Sequence, residues 1–267
     1  MSLPQILYKF RHFDDANHVR MLTHREIFFP SPIKFNDPFD AAIPVRYEDG
    51  TPEQIIQWFD NYLAEVEPAL RPPERIKKAR QMFKNAIHRN HNWVQLTRTR
   101  VRALVETIGI FSTSAANENI LNWSHYSAGH KGFCVGFYSQ QLLNICTFFT
   151  FNQQRPASIC GVNYSPDYPR INPFAMSNRD RLNAQFLTKA KDWIHEKEYR
   201  LLLAAGANEV LPLDESSFAS ITLGCSIDQE HKNLVVDILN TWKIKPILLQ
   251  SHRDDDAFSL HFEPISY

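Results

Sequence analysis

The run Glu196-Lys197-Glu198-Tyr199-Arg200, leading straight into Leu201-Leu202-Leu203, is the tightest constraint on how this chain folds. The aliphatic residues with Tyr199 predict a β-strand over 196–203. Side chains alternate faces along a strand, so Glu196, Glu198 and Arg200 are expected on one face. Two carboxylates and an arginine make a poor solvent edge and a good ligand site. A carboxylate pair held this way can share a proton, fix a sugar hydroxyl or bind a metal. The plainer alternative is an Arg–Glu ion pair at a strand end.

The rest of the chain predicts strands interspersed with helices in mixed order. Strands are expected at 6–12, 26–29, 109–114, 132–138, 157–164, 220–223, 246–249 and 258–263. Helices are expected at 14–23, 119–126, 178–194 and 229–242. Residues 30–40 form a loop stiffened by Pro30, Pro32 and Pro38, because proline fixes φ and removes a donor. This pattern argues for an α+β fold, a sheet core carrying a helical insertion at about 51–105, within one catalytic domain spanning 1–267.

Composition enters mainly by exclusion. At 267 residues and 43% apolar content the chain can bury a large core. No apolar run approaches a membrane span and no secretory signal precedes the first strand, so no membrane partner and a cytoplasmic location are expected. Cys134, Cys146, Cys160 and Cys225 show no CxxC spacing and read as reduced. The eight glycines form neither GxGxxG nor GxxxxGK[ST], and GxSxG and HExxH are also missing. Formal net charge is zero, yet residues 71–102 hold ten Lys or Arg against the single acid Glu74. That asymmetry points to a partner.

Three further groups carry chemistry. Lys9 and Arg11 share one face of the first strand, with Tyr8, Phe10 and His12 on the other. Such a basic pair can hold a phosphate or ribose, or can guard an edge strand. Ser112, Thr113 and Ser114 end a strand and are followed by Asn119, Trp123, His125 and Tyr126 on a short helix. Hydroxyls beside rings suit a ring-bearing ligand such as nicotinamide or adenine. His125, His130 and Cys134 match no standard zinc spacing, so no metal is expected. Arg80, Lys84, Arg89, Arg98, Arg100 and Arg102, interleaved with His88, His91 and Trp93, form a basic helical surface. It suits nucleic-acid backbones, with rings for base stacking, or else a solvated face paired with the acidic remainder.

The segments LYKFR, FNDPFD, NWSHYSAGHKGFCVGF and WIHEKEYRLLL together resemble a bacterial family of unknown function, from Leu7 to about Phe262. More loosely, LYKFRHFDDANHVRML is similar to the start of DarT-type ADP-ribosyltransferase toxins. Glu198 matches the strand glutamate that ends their catalytic core, with Glu196 as its partner. Ser112-Thr113-Ser114 resembles the Ser-Thr-Ser element of arginine-class ADP-ribosyltransferases.

That resemblance implies an ADP-ribosyltransferase-like mixed sheet and NAD as cosubstrate. Glu198, Glu196 and Arg11 would be the catalytic groups. Lys9, Arg11, Phe35, Asn36, Asp37, Ser112, Thr113, Ser114, Trp123, His125 and Tyr126 would surround NAD. The chemistry fits, since a carboxylate near the ribose stabilises the positive charge that develops as nicotinamide leaves. A nucleic-acid acceptor, RNA or DNA, would dock on the basic helices. Such a toxin implies anti-phage defence or a toxin–antitoxin pair, with an antitoxin or chaperone as a further partner. Two alternatives stand beside it. One is a metal-dependent nuclease using Asp37, Asp40, Glu196 and Glu198, with Glu-x-Arg imitating Glu-x-Lys. The other is a non-catalytic nucleic-acid-binding module.

Overall fold

The structure is a computed structural model and describes residues 3–267. In chain order, β1 (Ile6–Arg11), α1 (Ala16–Thr23) and β2 (Glu26–Phe29) precede three helices, α2 (Pro52–Val66), α3 (Pro72–Lys84) and α4 (His91–Glu106). Next come β3 (Gly109–Ser114), α5 (Ile120–Tyr126), β4 (Phe133–Tyr138) and α6 (Ser139–Asn152). They are followed by β5 (Ala157–Gly161), β6 (Asn163–Ser165), α7 (Asn178–Phe186) and β7 (Thr188–Ala190). The chain closes with β8 (Glu198–Leu203), β9 (Glu209–Pro212), β10 (Phe218–Leu223), α8 (Gln229–Asn240), β11 (Ile247–Arg253) and β12 (Leu260–Pro264).

The fold is α+β, and the chain divides into two compact units. The first joins the chain up to Lys34 with Thr107–Val162 and Asp192–Tyr267. Its centre is an eight-stranded mixed sheet in the order β12-β11-β10-β4-β1-β3-β8-β5. All neighbours are antiparallel except β10 and β11. One face is apolar: Leu7, Phe111, Val135, Phe137, Leu201, Ile221 and Leu223 pack with Met21 and Leu22 of α1, Leu142 and Phe149 of α6, and Val235 and Leu239 of α8. Burying that face supplies most of the driving force for this unit. The register fixes the opposite face, because residues directly across a ladder point the same way. Tyr8 lies opposite Ser114 and Gly136, Ser114 opposite Glu198, and Ser112 opposite Arg200. This second face carries that polar row across four neighbouring strands, beside a small buried cluster of Phe10, Cys134 and Trp123.

The joint between β1 and β3 differs from its neighbours. It has a single registered pair, Tyr8 with Ser114, whereas β1–β4 and β3–β8 each have six.

The second unit comprises Phe35–Glu106 and Asn163–Lys191. Thr51 and Gln54 close a capping box on α2, with Pro52 in its first turn, which supplies partners for orphaned N–H groups. Ile55, Phe59 and Leu63 then recur every four residues and face Tyr47, Ala79 and Phe174 in this unit's own core. β6 and β7 pair in parallel, Asn163 with Thr188.

Three local expectations are corrected. The helix expected over 178–194 ends at Phe186, because Thr188–Ala190 is taken up by β6 and residues 191–196 form a 3-10 turn. The strand expected over 157–164 breaks at Val162 into β5 and β6, which belong to different units. Glu196 ends the 3-10 turn rather than opening β8, and Lys197 bridges the two with φ 46°. α6 and β9 had no counterpart in the sequence reading.

Gly132 sits where β4 begins beside the end of β1, and a Cβ there would overlap the Arg11 carbonyl oxygen. Gly132→Ala is therefore expected to lower stability by about 1–3 kcal/mol through backbone overpacking. Urea unfolding checks this, and a midpoint equal to that of the parent protein would remove the claim.

Candidate functional site

β8 places Glu198 and Arg200 two residues apart on the polar face, and both are buried, Arg200 with 0% exposure. The guanidinium grips the carboxylate in a fork: Arg200 Nε donates to Glu198 Oε1 at 2.8 Å and Nη2 to Oε2 at 3.1 Å. Charge-assisted bidentate bonds of this kind fix orientation as well as charge. The ion-pair alternative from the sequence is thus present. It holds the Glu198 carboxylate in one pose facing Ser114.

Glu196 is also buried, and its carboxylate is held from another direction. Tyr126 Oη donates to Glu196 Oε1 at 2.6 Å. The backbone around it is locked by β3 and α5: Ser114 Oγ donates to the Glu196 carbonyl at 2.6 Å, and Asn119 Nδ2 donates to the His195 carbonyl at 2.6 Å. Asn119 also caps α5 by accepting from the N–H groups of Leu121 and Asn122. Asn122, one helical turn before Tyr126, reaches Ser114 Oγ at 3.4 Å and leaves its own Oδ1 buried with no partner. Asn119 and Tyr126 therefore tie one short helix to the turn that carries Glu196, and Asn122 ties it to Ser114 on β3. The sequence reading named Tyr126 as a stacking ring and missed its hold on Glu196. The i, i+4 spacing of Asn122 and Tyr126 was the available signal.

Rings gather at the rim. His125 lies 6.2 Å from Tyr126 and 6.3 Å from Trp193, and Trp193 lies 6.0 Å from His195. His125 is exposed and the other three are partly so. Trp193 and His195 belong to the WIHEKEYRLLL segment, with no site role expected of them. Trp123 fails as a ligand-stacking ring: it is fully buried, packs edge-on to Phe10 at 5.2 Å and donates Nε1–H to the Asn117 carbonyl. Tyr8 lies on this same face, and burial, with Cys134 and Glu118 nearby, raises its phenol above the ordinary value.

Of the Ser-Thr-Ser segment, Ser112 and Ser114 face the carboxylates. Thr113 points to the other side and donates to the Tyr199 carbonyl at 3.0 Å. Lys9 and Arg11 share Leu7's face, on the apolar side of the sheet. Lys9 Nζ reaches the Ser112 carbonyl at 2.5 Å and lies over the Phe111 ring. This corrects the expectation that Arg11 and Glu198 grip one ligand together, since strand alternation turns them to opposite faces.

Phe35, Asn36 and Asp37 lie in the second unit, where Asp37 Oδ1 accepts the Phe39 N–H in a side-chain turn. Asp40, also in that unit, is buried and 3.9 Å from Lys189 Nζ. Among the described residues no group of three or more His, Cys, Asp or Glu is arranged to hold a metal ion. The nuclease alternative gains no ligand set from the fold.

Arg80, Lys84, Arg89, Arg98, Arg100 and Arg102 are all exposed in the helical unit. Arg102 pairs with Glu106 at 2.9 Å, while the other five make no ion pair among the described residues. The ring interleaving is not on that surface. His88 is buried against Phe83, and Trp93 packs on Tyr47, Trp58 and Phe59. Apolar burial claimed those rings, leaving His91 exposed.

The model of a family described as a protein of unknown function (DUF2971) matches residues 122–201, less than a third of the 267-residue chain. That stretch begins at Asn122 on α5 and ends at Leu201 on β8, so it contains Tyr126, Glu196, Glu198 and Arg200, while Ser114 and Asn119 lie outside it. No curated protein and no solved structure gave a match.

Arg200→Ala would remove the bidentate fork from the buried Glu198 carboxylate, and is expected to cost about 3–5 kcal/mol of stability. Replacing the pair together, as Glu198→Leu with Arg200→Met, is expected to recover most of that loss. Equilibrium unfolding of both variants checks the account, and equal losses in the two would contradict it.

Proposed function

We propose that the polar face around Glu198 is the site of an NAD-dependent ADP-ribosyltransferase that modifies nucleic acid. The observation carrying this reading is the pairing of β3 with β8. It sets Ser112 and Ser114 directly opposite Arg200 and Glu198, so the Ser-Thr-Ser segment and the strand glutamate are immediate neighbours. The resemblance to ADP-ribosyltransferases links those same two segments.

The groups on this face suit the ribose end of NAD. A carboxylate gripped by a bidentate guanidinium stays aimed, as needed to accept hydrogen bonds from ribose hydroxyls. When bound, NAD would supply the ADP-ribosyl group, with nicotinamide leaving. Glu198 would then orient the ribose and offset the charge developing there. Glu196, steadied by Tyr126, would take the proton from the attacking group of the acceptor. Arg200 acts by positioning Glu198. The rings of His125, Tyr126, Trp193 and His195 offer planar surfaces beside the carboxylates. Of the cations singled out on the first strand, neither Lys9 nor Arg11 reaches this face.

The acceptor reading rests on the five exposed, unpaired basic side chains of the helical unit. With His88 buried and Trp93 packed against the helical core, that surface favours phosphate contacts over base stacking. Modifying nucleic acid inside its own host makes such an enzyme toxic, which fits anti-phage defence or a toxin–antitoxin pair with a restraining antitoxin or chaperone.

Incubation with labelled NAD and a panel of RNA, DNA and protein acceptors, without added metal, is expected to give label transfer to nucleic acid. Glu198→Gln, shown by circular dichroism to be folded, is expected to lower the rate at least about 100-fold. Undiminished transfer by that variant would sink the assignment. In a companion binding titration, Arg98→Gln with Arg100→Gln is expected to flatten the salt dependence of nucleic-acid affinity by about one to two phosphate contacts.

A further inference from the structure

The eight-stranded sheet ends in two edge strands of opposite character. β12, at one end, carries His261, Glu263 and Pro264. Charge and proline are the usual guards against pairing with a further strand. β5, at the other end, reads Ala-Ser-Ile-Cys-Gly and has neither. Its ladder with β8 shows which backbone groups are spare. The Pro156 carbonyl accepts from the Ala204 N–H and the Glu198 carbonyl from the Val162 N–H, in register with Ala157 opposite Leu203. Alternation along an antiparallel ladder then turns the N–H and C=O groups of Ser158 and Cys160 toward β8, and those of Ala157, Ile159 and Gly161 outward. Thr150 Oγ1 satisfies Ala157, accepting its N–H at 3.1 Å and donating to its carbonyl at 3.3 Å. The outward groups of Ile159 and Gly161 make no hydrogen bond among the described residues.

The helix beside this edge shares its character. Thr150 brings one side of α6 against β5, and Leu143, Thr147 and Phe151 lie on that side by helical spacing. Leu143 is 38% exposed and Phe151 78%. None of the 14 residues of α6 and none of the five of β5 is charged, in a chain with 22% charged residues. Arg155, in the turn between them, is engaged by Glu209 at 2.8 Å. An unguarded strand edge and an uncharged, partly apolar helix face therefore adjoin.

We infer that β5 and α6 form a twofold interface with a second copy of this chain. In such a contact each residue meets its own counterpart or a near neighbour of it, so any charge would face its like. A surface without charge is what self-pairing requires. The spare groups also select the register. Ile159 of one copy opposite Gly161 of the other pairs every unsatisfied group on both strands and leaves the Thr150 bonds to Ala157 intact. That register puts Cys160 on the twofold axis, opposite its own copy. Strands joined in this way keep equivalent faces on the same side. The two α6 helices then flank the joint, with Leu143 and Phe151 turned toward the other copy. The interface stands whatever chemistry the carboxylate face performs.

Sedimentation equilibrium of the full chain is expected to show a reversible dimer. Leu143→Glu with Phe151→Glu, both at exposed positions, is expected to raise the dissociation constant at least about tenfold by setting like charges across the axis. Cys160 reads the register. Opposed residues of a non-hydrogen-bonded pair have Cα atoms about 4.5 Å apart, inside the disulfide range of about 4.4–6.8 Å. Diamide, which takes up the two electrons and two protons released by a pair of thiols, is expected to cross-link the dimer. Cys160→Ser is expected to remain dimeric and to lose the cross-link. A chain that stays monomeric up to its solubility limit would overturn the interface, as would a dimer undisturbed by the two glutamates. A dimer that gives no Cys160 cross-link would overturn the β5 pairing.

Discussion

The buried pair of Arg200 and Glu198 is the contact on which the rest of the polar face depends. A guanidinium with no exposed surface in the middle of an eight-stranded sheet has to be paired, and its fork grips a carboxylate two residues away on the same strand. Once that pair is in place, the neighbouring position on β3 must also be polar, and Ser112 and Ser114 occupy it. The pair cannot be sited on the other face, which is sealed by α1, α6 and α8. One sheet therefore does two separate jobs. Its apolar side supplies stability, while its polar side holds two carboxylates in fixed orientations.

The second carboxylate is held by different means. Glu198 is clamped within its own strand, but Glu196 depends on α5, through Tyr126 to the side chain and through Asn119 to the preceding carbonyl. Two neighbouring acids with independent supports can take different roles, as general-base and electrostatic functions require. The stretch matched by the family of unknown function runs from Asn122 on α5 to Leu201 on β8. It thus begins on the helix that holds Glu196 and ends on the strand that carries Glu198 and Arg200.

Much of this was legible in the sequence. The alternation in β3 and β8 gave the shared face of Glu198 and Arg200, because a one-residue slip would have driven charges into the apolar core. The separation of Lys9 and Arg11 from Tyr8 and Phe10 along β1 was also readable. Which of those faces would meet Glu198 was not, since it depends on the register between strands over 100 residues apart. α6 was missed because Ser139–Asn152 mixes β-branched and aromatic residues with little periodic contrast. The basic stretch misled in one respect. Charge placed Arg98 and Arg100 on the surface, but the demand for a helical core drew Trp93 and His88 inward, a tertiary choice that composition does not encode.

The thin joint between β1 and β3 has a consequence for motion. A sheet resists opening in proportion to the ladder bonds that must break together, and here one registered pair separates a five-strand half from a three-strand half. The Ser112 carbonyl at that joint is met by the Lys9 ammonium, a flexible tether in place of a backbone rung. Amide protons along the joint will therefore exchange with solvent through small local openings, while those of β4 wait for much larger ones. The polar face thus has its thinnest backbone seam along its own midline, with Tyr8 on one side and both glutamates on the other.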